Sequence, residues 1–211
     1  MSITPVDLDE RALHERVAED EGHEALFTGV VGYFTRLVRR YVLARLPERR
    51  GREILEIGCG EALFFEGTGV TPVQIDVSMV RLRRAIGRSR HLACADGYQL
   101  PFADGSFRCV LLIAVLEHTA RPWGVLAEAR RVLAPGGRAI MLVPNDATMS
   151  VGRLLLGKFP IRYPDHLTFT TPRRMRHWLR EGFRIVEAFP LPVRLLPFAA
   201  NLYYFVVAER A

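Results

Sequence analysis

Five short apolar runs constrain this chain more than any other feature: EILEIG (53–58), TPVQID (71–76), HLACAD (91–96), RCVLLIAV (108–115) and RAIMLVP (138–144). Each has the length of one strand. Between them lie helix-length segments, SMVRLRRAIGRSR (78–90) and WGVLAEARRVLA (123–134), the second opened by Pro122 and stopped by PGG at 135–137. Strands alternating with helices of about 12 residues build βαβ units around a mainly parallel sheet.

Upstream, Phe27, Val30, Val31, Phe34, Leu37, Val38, Tyr41 and Val42 recur at helical spacing. They predict one amphipathic helix over about 24–46, ended by Pro47. EALFFEG (61–67) predicts a short helix after the first strand. Downstream, the connection NDATMSVGRLLLGKFPIRYPDHLTF is longer than a structureless loop usually is, which predicts a helix around SVGRLLLG. A helix in TPRRMRHWLREG follows, then strands in FRIVEAF and NLYYFVVAER, close enough in sequence to pair antiparallel at the sheet edge. The expected fold class is α/β: a Rossmann-like three-layer αβα sandwich with a mainly parallel seven-stranded sheet and an antiparallel C-terminal hairpin strand.

Composition narrows the field of functions. At 211 residues, 49% hydrophobic and 25% charged, the chain suits one globular domain with a real core. Its longest apolar stretches, 109–116 and 195–208, fall short of the roughly 20 residues of a membrane helix. The acidic start has no apolar centre, unlike a secretory signal, which makes the cytoplasm the default location. Cys59, Cys94 and Cys109 lack CxxC spacing and read as small buried residues rather than a zinc or disulfide framework. Net charge is +6 and the pI 9.7, but Lys158 is the only lysine among 29 basic residues. Such a skew looks like codon bias. The arginines of 36–52 and 172–180 alternate with apolar residues at helical spacing, the pattern of solvated helix faces rather than a nucleic-acid surface.

The first apolar run ends in EIGCGEA, where Gly58 and Gly60 free the backbone to bend and approach a ligand. In an open parallel sheet, ligands bind outside the carboxyl ends of the strands. Asp76 ends the second run, where an acid can accept from both hydroxyls of a ribose. A dinucleotide fingerprint starting at Gly58 needs glycine at 63, and the chain has Leu63. A pyrophosphate-bearing cofactor is therefore disfavoured.

The series ILEIGCG, VQIDVS, ADGYQLPFADGSF, LLIAVLEH and RRVLAPGGRAIMLVPN, in this order over about residues 50–145, resembles the class I S-adenosylmethionine-dependent methyltransferases. Within them it looks like the group containing the ubiquinone and menaquinone biosynthesis methyltransferases. DHLTFTTPRRMRHWLREGF (165–183) is similar to a weaker C-terminal signature of that group. The resemblance implies that Glu56, Gly58 and Gly60 surround the methionine part of S-adenosyl-L-methionine and that Asp76 takes its ribose. It further implies that Asp96 and Gly97 meet the adenine, and that the Ala114 carbonyl faces the ammonium. The implied organisation is a single methyltransferase domain: a helical cap (1–50), a cofactor-binding core (51–145), a lid or substrate loop (146–171) and a C-terminal helix and hairpin (172–211). Three departures stand out: Ala62 replaces the third motif glycine, the segment from Gly60 to Asp76 is short, and Arg108–Cys109 stand where the family usually has an acid.

His118 in LEHTARP and His166 in YPDHLTF, beside Asp165, are the candidate catalytic residues, as base or acceptor contact. The ubiquinone O-methyltransferases hold a divalent metal with a carboxylate-rich version of the segment around Glu117 and His118. Here the earlier acidic position is Ala114, so no metal is expected. Tyr33 and Arg36 are placed to close over the cofactor, or simply to sit on a surface helix. The expected function is methylation of a small, apolar acceptor (EC 2.1.1.-), at oxygen or carbon. The alternatives are a non-catalytic S-adenosylmethionine-binding partner protein and an RNA methyltransferase. The expected partner is a small-molecule acceptor, with no transmembrane segment, room for peripheral membrane contact, and a monomeric or homodimeric state.

Overall fold

The computed structural model describes residues 8–20, 29–48, 51–163 and 165–211. Seven strands, β1 (Ile54–Ile57), β2 (Val73–Asp76), β3 (Leu92–Cys94), β4 (Phe107–Ile113), β5 (Leu133–Pro144), β6 (Phe183–Leu191) and β7 (Tyr203–Arg210), form one sheet in the order β3-β2-β1-β4-β5-β7-β6. The first five pair in parallel, and β7 runs antiparallel between β5 and β6. This is the mainly parallel sheet with a C-terminal antiparallel hairpin that the sequence led one to expect. The strand order reverses beside β1, the place in a doubly wound sheet where a crevice opens at the carboxyl edge.

Six helices are described: α1 (Leu8–Asp20), α2 (Gly29–Leu43), α3 (Met79–Ala85), α4 (Pro122–Val132), α5 (Asp146–Leu155) and α6 (Pro172–Leu179). Their starts follow local chemistry. Ser78 and Thr171 cap α3 and α6 by accepting from the amides of Arg81 and Arg174, and Pro122 and Pro172 sit in the first turns of α4 and α6.

The two-residue period of the strands sorts the core into two layers. Leu55, Ile57, Val110, Leu112, Met141 and Val143 face α4 and α6 through Val125, Leu126, Met175 and Leu179. Ile54, Leu111, Ile140 and Leu142 face α2 through Val38 and Val42, with Phe64 and Phe65 completing that layer. Each such side chain contributes about 1.5–3 kcal/mol on burial, so the pattern fixes which face each strand turns to which helices.

Several expectations are corrected. EALFFEG forms turns, not a helix, because Gly60 and Ala62 adopt left-handed φ of 55° and 57° and Gly67 and Gly69 follow at 72° and 75°. The helix predicted over 24–46 is described over Gly29–Leu43, and its predicted start, with Phe27, lies outside the described residues. The segment SMVRLRRAIGRSR keeps helix only to Ala85, since Ile86 turns extended and Gly87 takes a φ of 90°. Strand β3 stops two residues before Asp96. Cys94 is exposed, whereas Cys59 and Cys109 are buried as expected. Helix α1 was not anticipated, because its face toward the protein is polar.

Candidate active site

A cavity of about 570 Å3 lies at the carboxyl edge of the sheet, and Glu56, Gly58, Gly60, Asp76, Asp96, Gly97, Ala114, His118 and His166 all line it. The chain brings together every residue singled out as catalytic or cofactor-binding. Neither Tyr33 nor Arg36 lines it; Tyr33 is 64% exposed, and α2 instead contributes Phe34, Thr35 and Val38.

The turn after β1 is shaped by backbone. Gly58 has a φ of +69°, and a Cβ there would lie 2.6 Å from Val115 Cγ2, so only glycine lets this strand end pass the turn after β4. The Gly60 amide donates to Asp76 Oδ2 at 2.8 Å, and the Ser78 amide donates to Oδ1 at 2.9 Å. Asp76 thus ties the glycine turn to the start of α3. An ionised carboxylate accepts at about four positions, so Asp76 retains capacity toward the cavity.

Asp96 sits in a tight turn, its Oδ1 accepting from the Tyr98 amide at 2.8 Å. At Gly97 a Cβ would make only ordinary contacts, 3.5 Å from Ile57 Cγ2, so local packing does not require glycine there. Ala114 holds a left-handed φ of 54° directly after β4. A side-chain-bearing residue in that region costs about 1–2 kcal/mol, a strain characteristic of functional sites.

Glu56 is buried beneath the turn and accepts from Gln74 Nε2 at 2.6 Å. Burial pushes its carboxyl up to about 8, against the smaller opposing effect of that hydrogen bond.

The polar end of the cavity is built from two segments distant in sequence. Glu117 and His118 lie in the turn after β4, and His166 follows α5. His166 is the sequence neighbour of Asp165. The chain pairs them differently: His118 Nδ1 lies 3.0 Å from the Asp165 backbone oxygen and 3.3 Å from its Oδ2, whereas His166 Nδ1 meets Asp146 Oδ1 at 2.7 Å. Asp146 also accepts from the amide and hydroxyl of Thr170. Burial drives His118 down to about 4, outweighing the nearby Asp165 charge. For His166 burial acts in the same direction, yet the Asp146 hydrogen bond and the surrounding carboxylates leave it raised. Burial pushes Glu117 up to about 8.

Sequence reading missed what α1 supplies. Glu10 and His14 line the cavity, and Glu10 Oε1 lies 3.3 Å from the Tyr98 hydroxyl. Glu15 accepts from Ser78 Oγ at 2.7 Å and from the Met79 amide at 2.9 Å, fastening α1 across the start of α3. The one available signal was the acidic i, i+5 pair Glu10 and Glu15 in an otherwise unremarked polar segment.

Charge defines what the cavity accepts. Among the described residues seven acidic side chains line it, Glu10, Glu56, Glu61, Asp76, Asp96, Glu117 and Asp165, of which burial raises Glu56 and Glu117 to about 8, against one arginine, Arg81, in a chain of net charge +6. This donor-poor, acceptor-rich lining repels phosphates and suits a ligand bearing hydroxyls, amino groups and positive charge. S-adenosylmethionine has those groups and no phosphate.

Residues 55–141 match the family model described as a methyltransferase domain. Among curated proteins, the chain is similar to 27-O-demethylrifamycin SV methyltransferase of Amycolatopsis mediterranei, with 33% identity over 54% of this chain and 47% of that protein. It is also similar to demethylmenaquinone methyltransferase of Streptomyces griseus, with 28% identity over 68% of this chain and 70% of the relative. Across the first relatives the match spans 37%, 47% and 60% of their own lengths, so the chain spans about half the length of the curated relatives it matches. A solved S-adenosylmethionine-dependent methyltransferase from Thermotoga maritima, described as a possible histamine N-methyltransferase, shares the fold, with a TM-score of 0.71 and 21% identity over 96% of this chain and all of that one. Residues 55–141 thus match a methyltransferase domain, and the fold around them is that of the S-adenosylmethionine-dependent methyltransferases, whose cofactor is S-adenosylmethionine.

Proposed function

We propose that the chain transfers a methyl group from S-adenosylmethionine to a hydroxyl or acidic carbon of a small apolar acceptor. The observation that carries this reading is that one cavity is lined both by acids at the strand ends, Glu56, Asp76 and Asp96, and by the apolar or aromatic Phe34, Val38, Leu142, Met149 and Tyr203, with Glu117, His118 and His166 in the same lining.

In this reading Asp76 holds the ribose hydroxyls, Asp96 and the Gly97 amide hold the adenine, and the Ala114 carbonyl with Glu56 faces the ammonium. When bound, S-adenosylmethionine supplies an electrophilic methyl on a sulfonium. The protein's own task is alignment and exclusion of water, since in-line displacement depends above all on proximity. Phe34 and Tyr203, stacked with centroids 4.5 Å apart, wall the acceptor side. His118 and His166 are the groups that activate the acceptor, each ring oriented by a carboxylate behind it. The outer surface of α5 and the segment after it exposes Leu154, Leu155, Leu156 and Phe159, which supports an acceptor delivered from an apolar environment. The 27-O-demethylrifamycin SV methyltransferase it resembles is named for an O-demethyl substrate, which supports O-methylation here.

The test is a methyl-transfer assay with radiolabelled S-adenosylmethionine against a panel of phenols, quinols and polyketide-like hydroxyls, with polar amines as controls. Transfer to the apolar hydroxyls, reduced at least tenfold by His118→Ala and His166→Ala, is the expected result. Exclusive transfer to polar amines would overturn the acceptor assignment.

A further inference from the structure

Glu117, His118 and His166 each offer one donor atom, and these atoms all lie within 4.8 Å of one another. Both rings are held from behind. Nδ1 of His166 is tied to Asp146 Oδ1 at 2.7 Å, and Nδ1 of His118 lies 3.3 Å from Asp165 Oδ2. An ionised carboxylate only accepts, so Nδ1 keeps the hydrogen in each neutral ring and the Nε2 lone pair is left over. Carboxylate, histidine and free Nε2 is the arrangement that orients imidazole toward a metal.

The third donor supplies an independent observation. The Glu117 side chain is 2% exposed, and its Oε2 has no hydrogen-bond partner among the described residues. A buried carboxylate oxygen is costly to leave unpaired, and the Glu117 carboxyl lies beside two imidazoles. We propose that Glu117, His118 and His166 form a binding site for a divalent transition cation such as Zn2+ or Mn2+. Two imidazoles and one carboxylate favour these ions over Mg2+, which prefers oxygen and water. Bonds of about 2.0–2.2 Å place tetrahedral donors roughly 3.4 Å apart, so binding draws the three together by about 1 Å.

Reading the segment from Ala114 to His118 alone led to the expectation of no metal, because Ala114 stands where an acid was sought. The missing donor comes instead from His166, beyond α5. On the methyl-transfer reading, which this role rests on, a cation held by Glu117, His118 and His166 would supply Lewis acidity toward an acceptor oxygen. The acceptor O–H bond breaks and its proton leaves to water at the cavity mouth. An oxygen lone pair forms the new bond to the methyl carbon as the sulfur–methyl bond breaks and sulfur keeps that electron pair.

The experiment uses tag-free full chain stripped with chelator, then titrated with Zn2+ and Mn2+ and analysed for bound metal after dialysis, with Co2+ absorption as a spectroscopic probe. One cation per chain is expected, with affinity at least tenfold weaker in Glu117→Gln and His166→Ala, and about tenfold weaker in Asp146→Asn. Parallel titration with S-adenosylhomocysteine shows that each variant is folded. Absence of stoichiometric metal in the wild type, or equal affinity in Glu117→Gln, overturns the site. If S-adenosylhomocysteine binds while no cation does, the metal proposal falls and the methyltransferase reading stands. If a cation binds at these residues and S-adenosylhomocysteine does not, the site stands and the cofactor reading falls.

Discussion

The Asp76 carboxylate accepts from the Gly60 amide at 2.8 Å, joining the end of β2 to the glycine turn that follows β1. One side chain therefore shapes the turn and faces the cofactor space. Replacing it by Asn leaves volume nearly unchanged but sets an amide group against the Gly60 or Ser78 amide, since both carboxylate oxygens are in use as acceptors. Asp76→Asn is expected to weaken S-adenosylhomocysteine binding at least tenfold in calorimetric titration, about 1.4 kcal/mol or more. Unchanged affinity would remove Asp76 from the binding set.

Gly58 gives a test of the same turn from the backbone side. Gly58→Ala combines a left-handed conformation with a methyl 2.6 Å from Val115 Cγ2. Strain and overpacking together are expected to destabilise the fold by about 2–4 kcal/mol in urea unfolding. The double variant Gly58→Ala, Val115→Ala relieves the clash but not the φ, so it is expected to recover part of the loss. Full recovery would show that the positive φ costs nothing at this position.

How far these features could be read from sequence depends on how local their causes are. Gly58, Gly60 and Asp76 were legible because strand ends and turns are written in adjacent residues. Glu117 and His166 were not legible as a pair, since their meeting depends on where α5 returns the chain to the sheet. The carboxylate partners of the two rings were hidden for the same reason: Asp165 serves His118, while the more distant Asp146 serves His166. Helix α1 escaped notice because its contacts are carboxylates onto α3 and Tyr98 rather than an apolar stripe. EALFFEG misled because its apolar content serves two adjacent aromatics, Phe64 and Phe65, that are both buried from a turn.

Glu56 makes stability depend on pH. Burial raises its carboxyl from 4.5 in the unfolded reference to about 8 in the fold, so the folded state binds a proton more tightly than the unfolded state. The contribution is fully present below the unfolded value and is lost as pH rises through the folded one. The Glu56 contribution to unfolding free energy is expected to fall between pH about 4.5 and about 8, with Glu117, raised by burial to the same value, adding to the fall, and Glu56→Gln, which can still accept from Gln74, is expected to make the slope shallower. Denaturant titrations at pH 5 and pH 8 on both proteins check this, and an equal slope in the variant would assign the effect to other groups.

Helix α1 is fastened by Glu15, which accepts from Ser78 Oγ and from the Met79 and Val80 amides at the start of α3. These hydrogen bonds hold the Glu15 carboxyl below its ordinary range although burial acts the other way. A carboxylate at a helix start gains from the amides and the local dipole by about 0.3–1 kcal/mol, a small share of global stability. Its effect on the cavity is larger, because the same helix carries Glu10 and His14 in the lining. Glu15→Ala is therefore expected to change the melting temperature little while α1 becomes sensitive to limited proteolysis and S-adenosylhomocysteine dissociates several-fold faster in stopped-flow measurements. Unchanged dissociation in a variant whose α1 is cleaved readily would show that the helix packs over the site without retaining the ligand.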